Sequence, residues 1–152
     1  MSQEHIKYGH YRGGNVSVPA KWAASQVVKA RSGRFVYLDG SGHLTIADDG
    51  ANEIFGHAEE ADRTTSATAG IEECKVNIDP SAVFRIPVGA GTYVATMRGK
   101  TCDIIKDASD IQGADLTANT DVVLIIVDGD LVDNDWVDVM INQKERCQSG
   151  VV

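Results

Sequence analysis

Short runs of alternating apolar and polar residues recur at nearly regular spacing along this chain, separated by glycine-containing turns. The clearest series spans residues 34–61, RFVYLDGSGHLTIADDGANEIFGHAEEA. Residues 35–38 and 43–47 flank the turn Asp39-Gly40-Ser41-Gly42, and Asp48-Asp49-Gly50 leads into a third run over residues 52–60. A period of two places successive side chains on opposite faces of a strand. Asp-Gly turns between such runs mark hairpins. Ile54 and Phe55 are adjacent, so the alternation breaks near Gly56 and predicts a bulge there.

The same reading predicts strands over residues 22–30, 71–78, 83–88, 92–97, 101–105, 122–127 and 136–141. Residues 22–30 fit a helical face through Trp22, Ser25 and Val28, but the turn Arg31-Ser32-Gly33 favours a strand. Residues 122–127 form the longest uninterrupted apolar run and predict the most buried strand. Pro87 places its strand at a sheet edge. Residues 62–69 (DRTTSATA) and 107–119 read as loops, with Ile111 and Leu116 turned inward, and Asp128-Gly129-Asp130 reads as a turn. About ten short strands and no long helical pattern predict an all-β fold, a small β-barrel or sandwich. Residues 1–21 show no such period and read as an extended N-terminal arm ahead of a single β-rich domain over residues 22–152.

Composition sharpens this picture. A chain of 152 residues is long enough for one core without disulfide staples. The net charge of -8 is unevenly spread. Residues 1–34 carry six Lys/Arg against the single acid Glu4, whereas residues 107–143 carry nine aspartates and no base. A basic arm on an acidic body argues against a general nucleic-acid binder, which needs a net basic face. Cys74, Cys102 and Cys147 form an odd set without CxxC spacing, which predicts reduced thiols and an intracellular site of synthesis. Cys74 and Cys102 sit in apolar runs and read as core residues. No apolar run reaches membrane-spanning length, and no signal peptide is evident.

Candidate chemistry is sparse. Asp128, Asp130, Asp133 and Asp135 form the densest acidic cluster, but Leu131 and Val132 interrupt the spacing of a calcium loop, so a metal is not expected. His5, His10, His43 and His57 make no zinc pair, and His57 beside Glu59 and Glu60 reads as a surface ion pair. Gly40-Ser41-Gly42 lacks the surroundings of a nucleophile elbow. Gly89-Ala90-Gly91 and Gly99-Lys100-Thr101 lack the spacing and the helix of a phosphate loop. No catalytic set and no cofactor are expected. The arm instead interleaves aromatic and basic residues, the types that dominate interface hot spots. Lys7, Tyr8, Tyr11, Arg12, Lys21 and Trp22 are its candidate contact residues.

The run over residues 34–61 resembles the capsid decoration (cement, or head-stabilising) proteins of tailed bacteriophages. The resemblance lies in a strand pair around Asp39-Gly40-Ser41-Gly42 followed by Ile54-Phe55-Gly56-His57-Ala58. The stretch VFRIPVGAGTYVATMRGKTCDI has a similar rhythm of strand, glycine turn and Gly-Lys into a further strand. The resemblance implies a β-tulip-like fold and a non-enzymatic protein on the outer surface of the virion head. It implies that the major capsid protein and further copies of the chain, as a homotrimer, are its partners, with no membrane and no direct nucleic-acid contact. Other readings are a tail-tube or head–tail connector subunit, or a carbohydrate-binding or hydrolytic domain using the carboxylates over residues 128–135.

Overall fold

A computed structural model of the protein describes residues 8–145. Thirteen strands and two short 3-10 turns, with no α-helix, make up the secondary structure of these residues. No helix among them is long and apolar enough to cross a membrane. Five strands close into a barrel: β9 (Val83–Ala90), β11 (Gln112–Asp115), β10 (Thr101–Lys106), β12 (Leu124–Gly129) and β13 (Trp136–Ile141), which returns to β9. Every pairing in it is antiparallel except β9 with β11. Closure removes the exposed edges that a five-stranded sheet would otherwise present. Phe84, Ile86, Ile104, Leu124, Ile126, Val137 and Val139 are among the residues of its core.

A second sheet runs in the order β2 (Ser17–Lys21), β8 (Glu73–Asn77), β6 (Gly56–Ala58), β4 (Phe35–Leu38) and β5 (Leu44–Ile46). Its two margins meet where Trp22 bridges Leu44 and the Ala23 N–H donates to the Leu44 carbonyl at 2.9 Å. Trp22, Val36, Leu44, Ile46, Ala58, Cys74 and Val76 pack together inside this unit. A ribbon of β3 (Val27–Val28) and β7 (Arg63–Thr64) lies beside it. β1 (Gly9–Arg12) pairs with the start of β9.

Strand β4 serves both units through its alternation. Phe35 belongs to the barrel core, whereas its neighbour Val36 belongs to the second core. β6 behaves alike: the His57 ring stacks on Phe84 of the barrel, and Ala58 packs in the second unit. Gln112 ties the two together. Its fully buried side chain accepts the Phe35 N–H at 2.8 Å and donates to the Phe35 and Ala47 carbonyls at 2.9 and 2.8 Å. Its backbone N–H donates to Ser32 Oγ at 2.7 Å, and its carbonyl accepts the Gly33 N–H at 2.8 Å.

Several expectations change. Residues 8–21 of the expected arm are extended, but β1 and β2 are hydrogen-bonded within the chain to β9 and β8. Pro87 does not mark an edge strand, because β9 is paired on both sides. On one side, β1 pairing ends at Arg85 and β11 pairing begins at Val88, so the missing Pro87 N–H falls in a local gap. Residues 107–119 contain a strand, β11, and residues 62–69 contain β7. The predicted strand over residues 92–97 is instead an irregular loop ending in a 3-10 turn over Ala95–Met97. No bulge marks Gly56. The strand starts there, and the glycine lets it approach β8 closely, since a Cβ at Gly56 would lie 2.6 Å from the Asn77 carbonyl oxygen.

Replacing Gln112 with Leu keeps the volume but strips the seam of its bonds to the Phe35 N–H and the Ala47 carbonyl, while the Phe35 carbonyl keeps the Ala47 N–H at 3.0 Å. Unsatisfied buried groups cost about 1–3 kcal/mol each. Urea denaturation should therefore show Gln112→Leu destabilised by about 3–5 kcal/mol, far more than a Gln-to-Leu change at the exposed Gln143.

Candidate binding surface

The most organised group of functional side chains outside the cores centres on Arg85 of β9. Arg85 stands opposite Asp138 of β13 in the ladder. Its Nε donates to Asp138 Oδ1 at 2.8 Å and its Nη2 donates to Oδ2 at 3.0 Å. This two-pronged geometry matches the planar guanidinium to the carboxylate. Asp138 is almost wholly buried, and a buried carboxylate is costly without such a partner. The hydrogen bond to Asp138 raises the Arg85 pKa further, and the guanidinium is a permanent cation.

Two aromatic rings enclose that cation. The guanidinium carbon lies 3.9 Å from the Tyr11 ring centre and 3.6 Å from that of Trp136. The two rings come from the strands on either side of β9. Trp136 opens β13 opposite Pro87. His10 pairs with Phe84 and Arg12 with Val83, so Tyr11 is the extra residue of a bulge in β1. A bulge re-aims its extra side chain, here over Arg85. Tyr11 remains 52% exposed. Tyr8 extends the surface, its hydroxyl reaching towards the Asp135 carbonyl at 3.5 Å.

The fold thus brings Tyr8, Tyr11 and Arg12 together on one side of the barrel with Arg85 and Trp136. Lys21 is exposed, but it ends β2 in the second unit, opposite Glu73. Trp22 is 1% exposed, lies in the second core and donates its Nε1–H to Glu60 at 2.9 Å. It is a packing residue and offers no surface contact. Lys7 lies outside the described residues. Arg85, Trp136 and Asp138 were missed at the sequence level. Their only sequence signal was alternation within predicted strands, and nothing in the spacing reveals that β9 and β13 are neighbours.

Asp130, Asp133 and Asp135 place carboxylate oxygens within 4.8 Å of one another, whereas Asp128 is outside this group. The Asp130 carboxylate accepts the backbone N–H groups of Val132, Asp133 and Asp135, and Asp128 Oδ1 accepts that of Gly129. These acids shape the connection between β12 and β13. Strand β12 runs through Gly129, so the turn lies later than predicted. A second acidic region, an open groove of about 530 Å³, is lined by Tyr37, Asp39, Asp48, Asp49 and Glu53 among others. Backbone N–H groups of His43 and Ser41 bond the Asp39 carboxylate and lower its pKa, so this acid too serves its own turn.

His57 is not a surface partner of Glu59 and Glu60. It is buried between Phe35 and Phe84 and its Nε2 accepts the Arg34 N–H at 3.1 Å. Cys74 and Cys102 are free and buried. Burial pushes their thiol pKa values up to about 11 and about 12. No family model, curated protein or solved structure matches the chain in comparisons with known proteins.

Replacing Arg85 with Ala strands the Asp138 carboxylate and should destabilise the protein by about 3 kcal/mol. The double variant Arg85→Ala/Asp138→Asn should recover part of this loss, as read by urea denaturation. In thiol labelling at pH 8, Cys74 and Cys102 should react far more slowly than an exposed cysteine, because the reactive thiolate is scarce and shielded. Both should label fully in denaturant, with sites assigned by peptide mass analysis.

Proposed function

We propose that this chain is a capsid decoration protein, an adhesive component that binds the outer surface of a tailed-phage head and bridges neighbouring major capsid subunits. One observation carries the structural side of this reading. Exposed Tyr11 and Arg12 of the basic N-terminal segment border half-buried Arg85 and Trp136, forming an aromatic and arginine surface beside β9. Tyr, Trp and Arg are the side chains that concentrate binding energy at protein interfaces. The ladder holding Arg85 rigid lowers the entropy lost when such a surface is covered. The resemblance of residues 34–61 to decoration proteins supplies the class of partner. A homotrimer on the shell would multiply a modest contact through multivalency.

Removing residues 1–20 would delete β1 and most of β2 along with any binding function, so point variants are the better probe. Purified protein should co-sediment saturably with expanded heads of its own phage. Tyr11→Ala/Arg12→Ala should weaken that binding by roughly 30-fold or more, the loss expected for a hot-spot pair, with the urea midpoint little changed. Equal binding by this variant would remove the proposed surface. A hexameric ring in mass measurement would favour the tail-tube reading. A calcium-dependent rise in melting temperature, reversed by EDTA, would favour the carbohydrate-binding or hydrolytic one.

A further inference from the structure

The seam between the two β units contains a titratable group that the binding surface does not use. The His57 ring stacks on Phe84 at 4.5 Å between ring centres and meets the Phe35 ring edge-on at 4.9 Å. Its Nε2 accepts the backbone N–H of Arg34 at 3.1 Å. An accepting Nε2 requires the neutral ring with its proton on Nδ1.

The surroundings are arranged against a second proton. From the turn before β4 comes Arg34, whose guanidinium is itself buried and donates to the carbonyls of Ala58, Ala30 and Ser32. From β1 comes His10, whose ring lies against the same Phe84 at 6.0 Å. β8 contributes the neutral Asn77 as cross-strand partner, β9 contributes Phe84, and β4 contributes Phe35. The nearest charge on this list is the Arg34 cation.

We propose that His57 makes the seam an acid-operated joint: protonation of its Nε2 releases the contact between β4–β6 and the barrel. A proton on Nε2 would turn the acceptor into a donor facing the Arg34 N–H. It would also place a cation in an apolar stack beside a second buried cation. Neither is accommodated with the seam closed, so the proton binds to the open form.

Burial first, then Arg34 and His10, hold the His57 pKa well below its ordinary value. The sign follows from linkage. Above the unfolded value of about 6.5, both forms are neutral and the closed seam has its full stability. As pH falls below that value, the open form gains a proton that the closed form lacks. The opening constant then rises by up to about tenfold per pH unit. The inference stands independently of the proposed function.

Amide hydrogen exchange and histidine ring NMR on the full chain between pH 7.5 and 5.5 test it. After correction for intrinsic exchange rates, opening at Phe35 and Gln112 should rise close to tenfold per pH unit below about 6.5. Val137 and Val139 of β13 should respond much less, and His57 should remain neutral while the seam is closed. In His57→Gln the pH dependence at Phe35 and Gln112 should disappear. An equal rise in that variant would overturn the proposal, as would a His57 that titrates near 6.5 with seam protection unchanged. Should His57→Gln fail to fold, the ring titration and seam exchange of the native chain decide the question.

Discussion

The fold rests on one buried polar contact. Gln112, on the short strand β11 of the barrel, satisfies both backbone groups of Phe35 and the carbonyl of Ala47 in the neighbouring sheet. The Phe35 carbonyl also accepts the Ala47 N–H at 3.0 Å, but the Phe35 N–H and the Ala47 carbonyl face the seam between the two units. An apolar side chain at residue 112 would take the partner from both, and buried polar groups without partners are strongly disfavoured. Arg34 performs a related task beside it, gathering the Ala58, Ala30 and Ser32 carbonyls with a single guanidinium. Together they let irregular backbone pass through the interior between two small cores.

Two modest cores rather than one large one follow from the shortness of the strands. Most strands run for two to six residues, and only β9 is longer. Alternation then becomes a means of division: β4 and β6 send one set of side chains to the barrel and the other to the second unit. The two units meet at a seam where the stack of Phe35, His57 and Phe84 is joined by Ala47 and Ile54, which pack with the barrel core. A histidine in that stack gives hydrogen bonding and packing together, and makes the junction sensitive to protons. The β13–β9 pairing that closes the barrel aligns Arg85 with Asp138 and brings Trp136 to it, and the β1–β9 pairing on the other side of β9 adds Tyr11.

Much of the strand content was legible from alternation. Residues 35–38 and 136–141 coincide with β4 and β13, and the apolar run over residues 122–127 overlaps β12, which is nonetheless not the most buried strand, since β6 and β11 are buried throughout. β11 was not legible, because Gln-Gly-Ala-Asp carries no apolar alternation. It is a strand because its Gly113 lets it approach Gly89 of β9, where a Cβ would meet backbone at 2.7 Å. Pro87 misled because its strand is an edge for only a short stretch, a property of two other strands' ends. Trp22 misled because an aromatic among basic residues looks the same whether it faces a partner or a core.

The sequence by itself determined that this is a β protein of short strands, with turns at its glycines and aspartates and with buried thiols. Those features depend on periods of two and on local turn chemistry, which act over a few residues. Only the tertiary structure decided that β13 returns to β9, that residues 9–21 belong to the body, and that His57 is interior. It also decided that Arg85 lies between Tyr11 and Trp136. Each of these depends on pairing between segments remote in the chain, where register and closure are selected by the packing of both cores at once.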